Sequence, residues 1–233
     1  MRLIGLLCLL MLPAAAAPWH FASGGTRTAV LELYSSEGCS SCPPAESWLA
    51  GLREAPGLWR DFVPVAFHVA YWDRLGWRDR FASRQFTARQ YAYADAWRSN
   101  SVYTPGFVLN GAEWRRGSAP PGRSTAAAET LTVDYAADGQ CRVQFAVPGD
   151  YEISAALLGG GIVSPVAAGE NAGRTLRHEF VALRLENARL VDGVATLQLP
   201  VTPVKGVARQ ALAVWVTRRG DLTPLQATGG WLE

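Results

Sequence analysis

The 233-residue chain has no sustained run of charge of either sign. Its 22 Lys and Arg against 20 Asp and Glu leave a formal net charge of +2. That removes the electrostatic footprint of a nucleic-acid binder and of a basic amphipathic helix lying on a membrane. Beyond the first 17 residues no stretch is apolar enough to span a bilayer, which argues against an integral membrane protein. The glycine-rich segments at 159–161 and 169–174 lack the Lys-Ser/Thr ending of a Walker loop, and they do not spell a dinucleotide fingerprint. Cysteine is scarce, at 4 residues.

What is present begins with an N-terminal leader. Arg2 supplies positive charge, Leu3 to Leu12 are apolar, and Pro13-Ala-Ala-Ala-Ala17 ends in small residues. This reads as a signal peptide over residues 1–17, too short and too poorly flanked for a membrane span, so the mature protein is expected to be periplasmic or secreted and soluble. Cys8 leaves with it. Cys39, Cys42 and Cys141 remain. Cys141 lies in Cys141-Arg-Val-Gln-Phe-Ala-Val147, where period-two alternation puts it on one strand face with Val143, Phe145 and Val147. It is expected to be a buried small hydrophobe. Hydrophobic residues make up 49% of the chain, ample for a core.

Cys39 and Cys42 stand in Tyr34-Ser-Ser-Glu-Gly-Cys-Ser-Ser-Cys-Pro-Pro-Ala45. Two thiols at this spacing can close a disulfide or open to a dithiol, and so exchange with another disulfide. The apolar, strand-like Ala29 to Tyr34 precedes the pair and a helix-like run from Pro43 to about Arg53 follows. Strand, C-x-x-C and helix in that order is the thioredoxin arrangement. A helix N-terminus aims free amides and positive dipole at Cys39 and lowers its pKa, making it the attacking thiolate. Cys42, one turn in, resolves. Ser40 and Ser41 can hydrogen-bond the Cys39 thiolate, which would favour an oxidant. An inert staple and a metal site remain open at this point.

Residues 26–128 then alternate strand and helix. Phe62 to Ala70 reads as a strand buried on both faces. A helix from about Ser83 to Arg98 aligns Phe86, Gln90, Tyr93 and Trp97. Phe107 to Asn110 and Glu113 to Arg116 form a hairpin about Asn110-Gly111, and a short helix is expected around Ser124 to Thr130. The order is that of a minimal thioredoxin fold. In it Pro105 stands where a cis-proline would sit against the cysteine pair, and Thr104 would offer backbone groups to an extended substrate. His68, at a strand end, reads as structural, as a tuner of the thiolate, or as a metal ligand. Of nine tryptophans, five fall between residues 48 and 97, the mark of a wide aromatic core or of an aromatic wall around a groove.

Several pieces resemble a secreted bacterial family of unknown function belonging to the thioredoxin-like superfamily. They are Glu37-Gly-Cys-Ser-Ser-Cys-Pro-Pro-Ala45, Ala66-Phe-His-Val-Ala-Tyr-Trp-Asp73, Leu75-Gly-Trp77, Ser101-Val-Tyr-Thr-Pro105 and Gly169-Glu-Asn-Ala-Gly-Arg-Thr-Leu-Arg-His178. The resemblance implies fold and location more than reaction. Where the family usually has an acidic residue this chain has Ala70, so a proton acceptor near the thiols would either be lost or have its role moved to Asp73 or Glu37.

Residues 129–233 show strand patterns at Thr130 to Tyr135, Cys141 to Val147, Tyr151 to Leu158, Val181 to Glu186, Val194 to Leu199 and Gln210 to Thr217, separated by turn signals. The expected architecture is therefore an α/β thioredoxin-like fold followed by a smaller antiparallel β-sandwich-like module. Glu170, Arg174, Arg177 and His178 lie in a long loop that reads as a partner surface or a solvated connector. The function expected is an exported thiol–disulfide oxidoreductase acting on protein thiols or disulfides, possible partners including a redox protein. Cys39, Cys42 and Pro105 would be catalytic and Thr104 would bind substrate, with no cofactor or metal required. The alternative is a periplasmic protein that holds Cu(I) through Cys39, Cys42 and His68 without net turnover.

Overall fold

A computed structural model describes residues 19–115 and 119–233. The expected signal segment with Cys8, and Arg116 at the end of the expected hairpin, lie outside them. Strand β1 (Trp19–Ala22) precedes β2 (Ala29–Ser35), helix α1 (Pro43–Gly51) and β3 (Phe62–His68). Helix α2 (Arg84–Ala96), β4 (Gly106–Leu109) and β5 (Ala112–Glu113) follow. The remainder is strand: β6 (Leu131–Tyr135), β7 (Gln140–Phe145), β8 (Tyr151–Gly160), β9 (Ile162–Pro165), β10 (Thr175–His178), β11 (Val181–Arg189), β12 (Val194–Gln198), β13 (Arg209–Arg218) and β14 (Pro224–Trp231).

The fold differs from the one expected. Strand takes 43% and helix 15%, and an eight-stranded mixed sheet in the order β14-β13-β8-β11-β3-β2-β4-β5 dominates. The α/β thioredoxin-like fold followed by a smaller β-sandwich-like module is therefore set aside. The physical reason lies at one strand edge. The outer edge of β3 is taken by β11, parallel, with Val181 opposite Ala66 and the Ala66 N–H donating to the Phe180 carbonyl at 2.8 Å. Strands β8, β13 and β14 then extend the same sheet antiparallel.

A second sheet, β1-β6-β7-β12, covers one face of that extension. Alternation along β8 divides its side chains between two cores. Ile153, Ala155 and Leu157 pack with Leu131, Val133, Cys141 and Val143, while Ala156 and Leu158 face Phe67, Val181 and Trp215. A strand buried on both faces has no polar period, and β8 accordingly runs apolar from Ala155 to Leu158.

Residues 124–130 form no helix. So short a helix is marginal, and the chain instead lies extended against the N-terminal segment, with Arg27 N–H to the Ala126 carbonyl at 2.9 Å and a bridge from Thr26 to Ala127. The connector after β8 is also more ordered than a loop. Strands β9 and β10 pair antiparallel, His178 opposite Ile162 and Leu176 opposite Ser164, and these four residues are the buried side of the ribbon.

The parallel pairing of β2 and β3 runs in register to Ser35 opposite His68. Those two residues therefore stand side by side at the carboxyl ends of the strands, where α1 begins. In open sheets of this kind that end is where sites form.

Candidate functional site

Cys39 and Cys42 are joined in a disulfide with Cα atoms 5.4 Å apart. A tight turn after β2 presents them: Cys39 N–H donates to the Ser36 carbonyl at 3.1 Å and Cys42 N–H to the Cys39 carbonyl at 3.2 Å. Cys42 occupies the position before α1, whose first two residues are Pro43 and Pro44, prolines that give up no intrahelical bond there. The Cys42 carbonyl accepts from Ala45 and Glu46 N–H at 3.0 and 3.1 Å.

The Thr104–Pro105 peptide is cis and its loop lies against the turn. Ser41 Oγ is 3.4 Å from both Cys39 Sγ and the Thr104 carbonyl oxygen. Trp72 Nε1 donates to Thr104 Oγ1 at 2.8 Å, and Gln90 Nε2 to the Tyr103 carbonyl at 2.8 Å. Ser40 does not share the sulfur: its N–H donates to Glu170 at 3.0 Å.

Both cysteines are 0% exposed. The loop between β9 and β10 is fastened to the backbone of their turn. Asn171 Nδ2 donates to the Glu37 and Cys39 carbonyls, each at 2.9 Å, and Arg174 donates to Asn171 Oδ1 at 2.9 Å. Gly169 takes φ +75 there, and a Cβ would stand 3.1 Å from that of Trp77. A side chain at this position would therefore strain the loop. The expected surface of Glu170, Arg174, Arg177 and His178 divides: Glu170 and Arg174 hold the β9–β10 loop, Arg177 is exposed, and His178 is buried.

Beneath the turn lie three carboxylates and two imidazoles, all buried: Glu37, Glu46, His68, Asp79 and His178. His68 Nδ1 is 2.6 Å from Asp79 Oδ2, and His178 Nδ1 meets Glu46 Oε2. Ser35 Oγ donates to Glu46 Oε1. Asp79 also accepts from Glu37 and Phe81 N–H at 2.8 and 2.9 Å, and Glu37 Oε2 from Trp77 Nε1 at 2.8 Å. Three atoms stay without a hydrogen bond: Glu37 Oε1, His68 Nε2 and His178 Nε2. The two nitrogens lie 3.7 Å from Glu46 Oε1 and 3.3 Å from Glu37 Oε1 respectively, out of alignment for a bond.

Burial alone would raise these carboxyls and lower these imidazoles. Opposite charge and hydrogen bonds reverse each shift. His178 and His68 hold Glu46 below its ordinary value, His178, Ser164 and Trp77 hold Glu37 below its own, and His68 with two backbone amides brings Asp79 down to about 2. In return Asp79 and Glu46 raise His68, and Glu46 with Glu37 lifts His178 to about 10. The cluster is charged on both sides and nearly self-compensating.

A family profile described as protein of unknown function (DUF1223) matches residues 30–217. The chain belongs to the DUF1223 family. The matched span contains the cysteine pair, the β9–β10 loop and all five members of the cluster. Among solved structures, a crystal structure from Agrobacterium tumefaciens matches with a TM-score of 0.62 at 23% identity, covering 88% of this chain and 94% of that one. HBP35 of Porphyromonas gingivalis matches with a TM-score of 0.57 at 12% identity, covering 89% and 76%. Such likenesses are likenesses of fold. No curated protein matches the chain.

For this DUF1223 member the structure brings together Cys39, Cys42, Thr104 and Pro105, and it places His68 in the cluster among carboxylates. Of the two candidate acids, Glu37 is in the cluster, whereas Asp73 accepts the Asp79 N–H at 3.2 Å and stands outside it. Glu46, Asp79, Asn171 and the buried role of His178 were missed. The alternation of Leu176 and His178 with Thr175 and Arg177 was the one available signal, and a four-residue strand is short for such a pattern. The tryptophans divide as well: Trp48 and Trp59 pack with the core, and Trp72 and Trp77 wall the site.

Proposed function

We propose that this protein is an exported thiol–disulfide oxidoreductase whose exchanging pair is Cys39 and Cys42. One observation carries the reading: the disulfide closes the turn into α1 and faces the Thr104 carbonyl through Ser41. In the reduced form the Cys39 thiolate attacks a sulfur of a partner disulfide. One partner sulfur leaves as thiolate and a Cys39–partner bond forms. The Cys42 thiolate then attacks Cys39 Sγ, closes the intramolecular bond and expels the second partner sulfur. The partner is reduced by two electrons, the pair is oxidised by two, and each expelled thiolate takes a proton. Running the same steps backwards makes the protein an oxidant.

Full burial of both sulfurs makes exchange conditional on a local opening, for which the loop holding Asn171, bonded to the turn, is the candidate segment. The test is the potential of the pair, equilibrated against glutathione with thiols counted by mass spectrometry. Titration between about −120 and −270 mV, with Cys141 silent, supports exchange. A pair still oxidised far below that window makes the disulfide a buried staple and ends the proposal.

A further inference from the structure

We propose that Glu46, His68 and His178 bind one divalent transition-metal ion, with Zn²⁺ as the reference case, at a site built from nitrogen and oxygen donors and separate from the cysteine sulfurs. One ligand atom from each of the three lies within 4.8 Å of the others. Ligands about 2.0–2.1 Å from a tetrahedral ion stand roughly 3.3 Å from one another. The 3.7 Å from His68 Nε2 to Glu46 Oε1 is near that spacing, and the remaining pairs, all within 4.8 Å, would close in on the ion.

The second observation is the pattern of unpartnered atoms. Asp79 engages Nδ1 of His68, the arrangement by which a carboxylate orients a ligating imidazole and frees its other nitrogen for metal. That other nitrogen, Nε2, is buried and without a hydrogen bond, as are Nε2 of His178 and Oε1 of Glu37. The lone Nε2 of His68 calls for an explanation, since such atoms are normally satisfied, and His178 Nε2 and Glu37 Oε1 meet only as a misaligned ion pair at 3.3 Å. A shared ion satisfies them at once, with Glu37 Oε1 next to the site as a further donor.

Charge does not stand in the way. His68 and His178 already balance the buried carboxylates as imidazoliums, and a divalent ion that displaces their two protons leaves the charge of the cluster unchanged, because a ligating imidazole is neutral. The donor set suits zinc and its first-row neighbours, whereas Cu(I) held by thiolates would need both sulfurs, which are bonded to each other here. Two clefts border the buried cluster, one lined by Glu37, Trp77 and Ser164 and one by Glu46 and Arg174. The three ligands come from α1, β3 and β10, so an ion would tie the ribbon that carries the β9–β10 loop to the main sheet.

The test uses the full chain with its disulfide kept oxidised, stripped with EDTA, offered Zn²⁺ or Co²⁺ and desalted. One equivalent is expected to remain by elemental mass spectrometry, and X-ray absorption of the metal should show a nitrogen and oxygen shell without sulfur. His68→Gln and His178→Gln should each lose retention, and Asp79→Asn should weaken binding about tenfold. No retained metal in the wild type, a sulfur in its first shell, or full retention in both histidine variants overturns the proposal. The wild-type measurements stand whether or not the variants fold. Thiol exchange is read separately, by the potential of the pair, so either proposal can fail alone.

Discussion

Asn171 gives both hydrogens of its amide to backbone carbonyls of the cysteine turn, 132 and 134 residues earlier in the chain. Its own oxygen is taken by Arg174. Replacing it with alanine leaves the Glu37 carbonyl without its donor and the Cys39 carbonyl with Cys42 N–H alone. Each lost bond to a buried group costs about 1–3 kcal/mol, and that cost falls on the closed state of the loop. Asn171→Ala should therefore speed reduction of the Cys39–Cys42 disulfide by dithiothreitol about tenfold or more, since about 1.4 kcal/mol is a factor of ten. An unchanged rate in a folded variant would mean that the loop does not limit access. At this scale the sequence is legible where chemistry is local. Cys39 and Cys42 declare themselves by spacing, and Thr104 and Pro105 by position. Glu46 and His178 do not, because neither has meaning until a fold brings residues 132 apart into contact.

Helix α2 is fastened to the sheet by one buried ion pair. Glu32, inside β2, accepts from Arg89 Nη2 and Nε at 2.7 and 2.8 Å and from the hydroxyls of Tyr93 and Tyr34, each at 2.7 Å. A glutamate in an apolar strand is a visible anomaly in the sequence, and Arg89 sits one turn before Tyr93 on the helix, yet nothing local pairs the two elements. Burial would raise the Glu32 carboxyl, but Arg89 and the two tyrosines outweigh it and hold it below its ordinary value of 4.5. The sign follows. A carboxyl lowered on folding contributes stability that is present in full above pH 4.5 and is lost as pH falls through the lower folded value. Glu32→Gln leaves the Arg89 guanidinium buried without its counter-charge, which should cost about 3–5 kcal/mol at neutral pH. Urea melts should show the difference between wild type and variant shrinking between pH 5 and pH 3. A constant difference across that range would mean that Glu32 keeps an ordinary pKa. The same scale explains the fold reading that failed. The alternation of strands and helices before residue 110 was readable, but the bare edge of β3 is invisible in a sequence, and it is that edge, taken by β11, that turns a small α/β arrangement into a mixed sheet.

For the whole molecule the question is whether its two cores melt together. Strands β8 and β13 put neighbouring side chains into both: Leu157 and Leu212 in one, Ala156 and Ala211 in the other. Neither core can lose these strands without exposing the opposite face of the same sheet, so one cooperative transition is expected. The protein carries a probe for each side. Trp48, Trp59 and Trp215 pack in the first core and Trp19 beside the second, so fluorescence reports mainly the first. Cys141 belongs to the second, where burial pushes its thiol up to about 12, so at pH 8 it should react with iodoacetamide only after unfolding. Fluorescence and Cys141 labelling should then share one denaturant midpoint. Leu157→Ala, which removes a buried side chain from the second core alone, should cost about 2–5 kcal/mol and lower both midpoints together. A shift confined to Cys141 labelling would show that the second core opens by itself. The shared strands would then be a contact between two independently stable units, and the β9–β10 loop, carried by the ribbon that follows β8, could open with that unit without disturbing the cysteine turn.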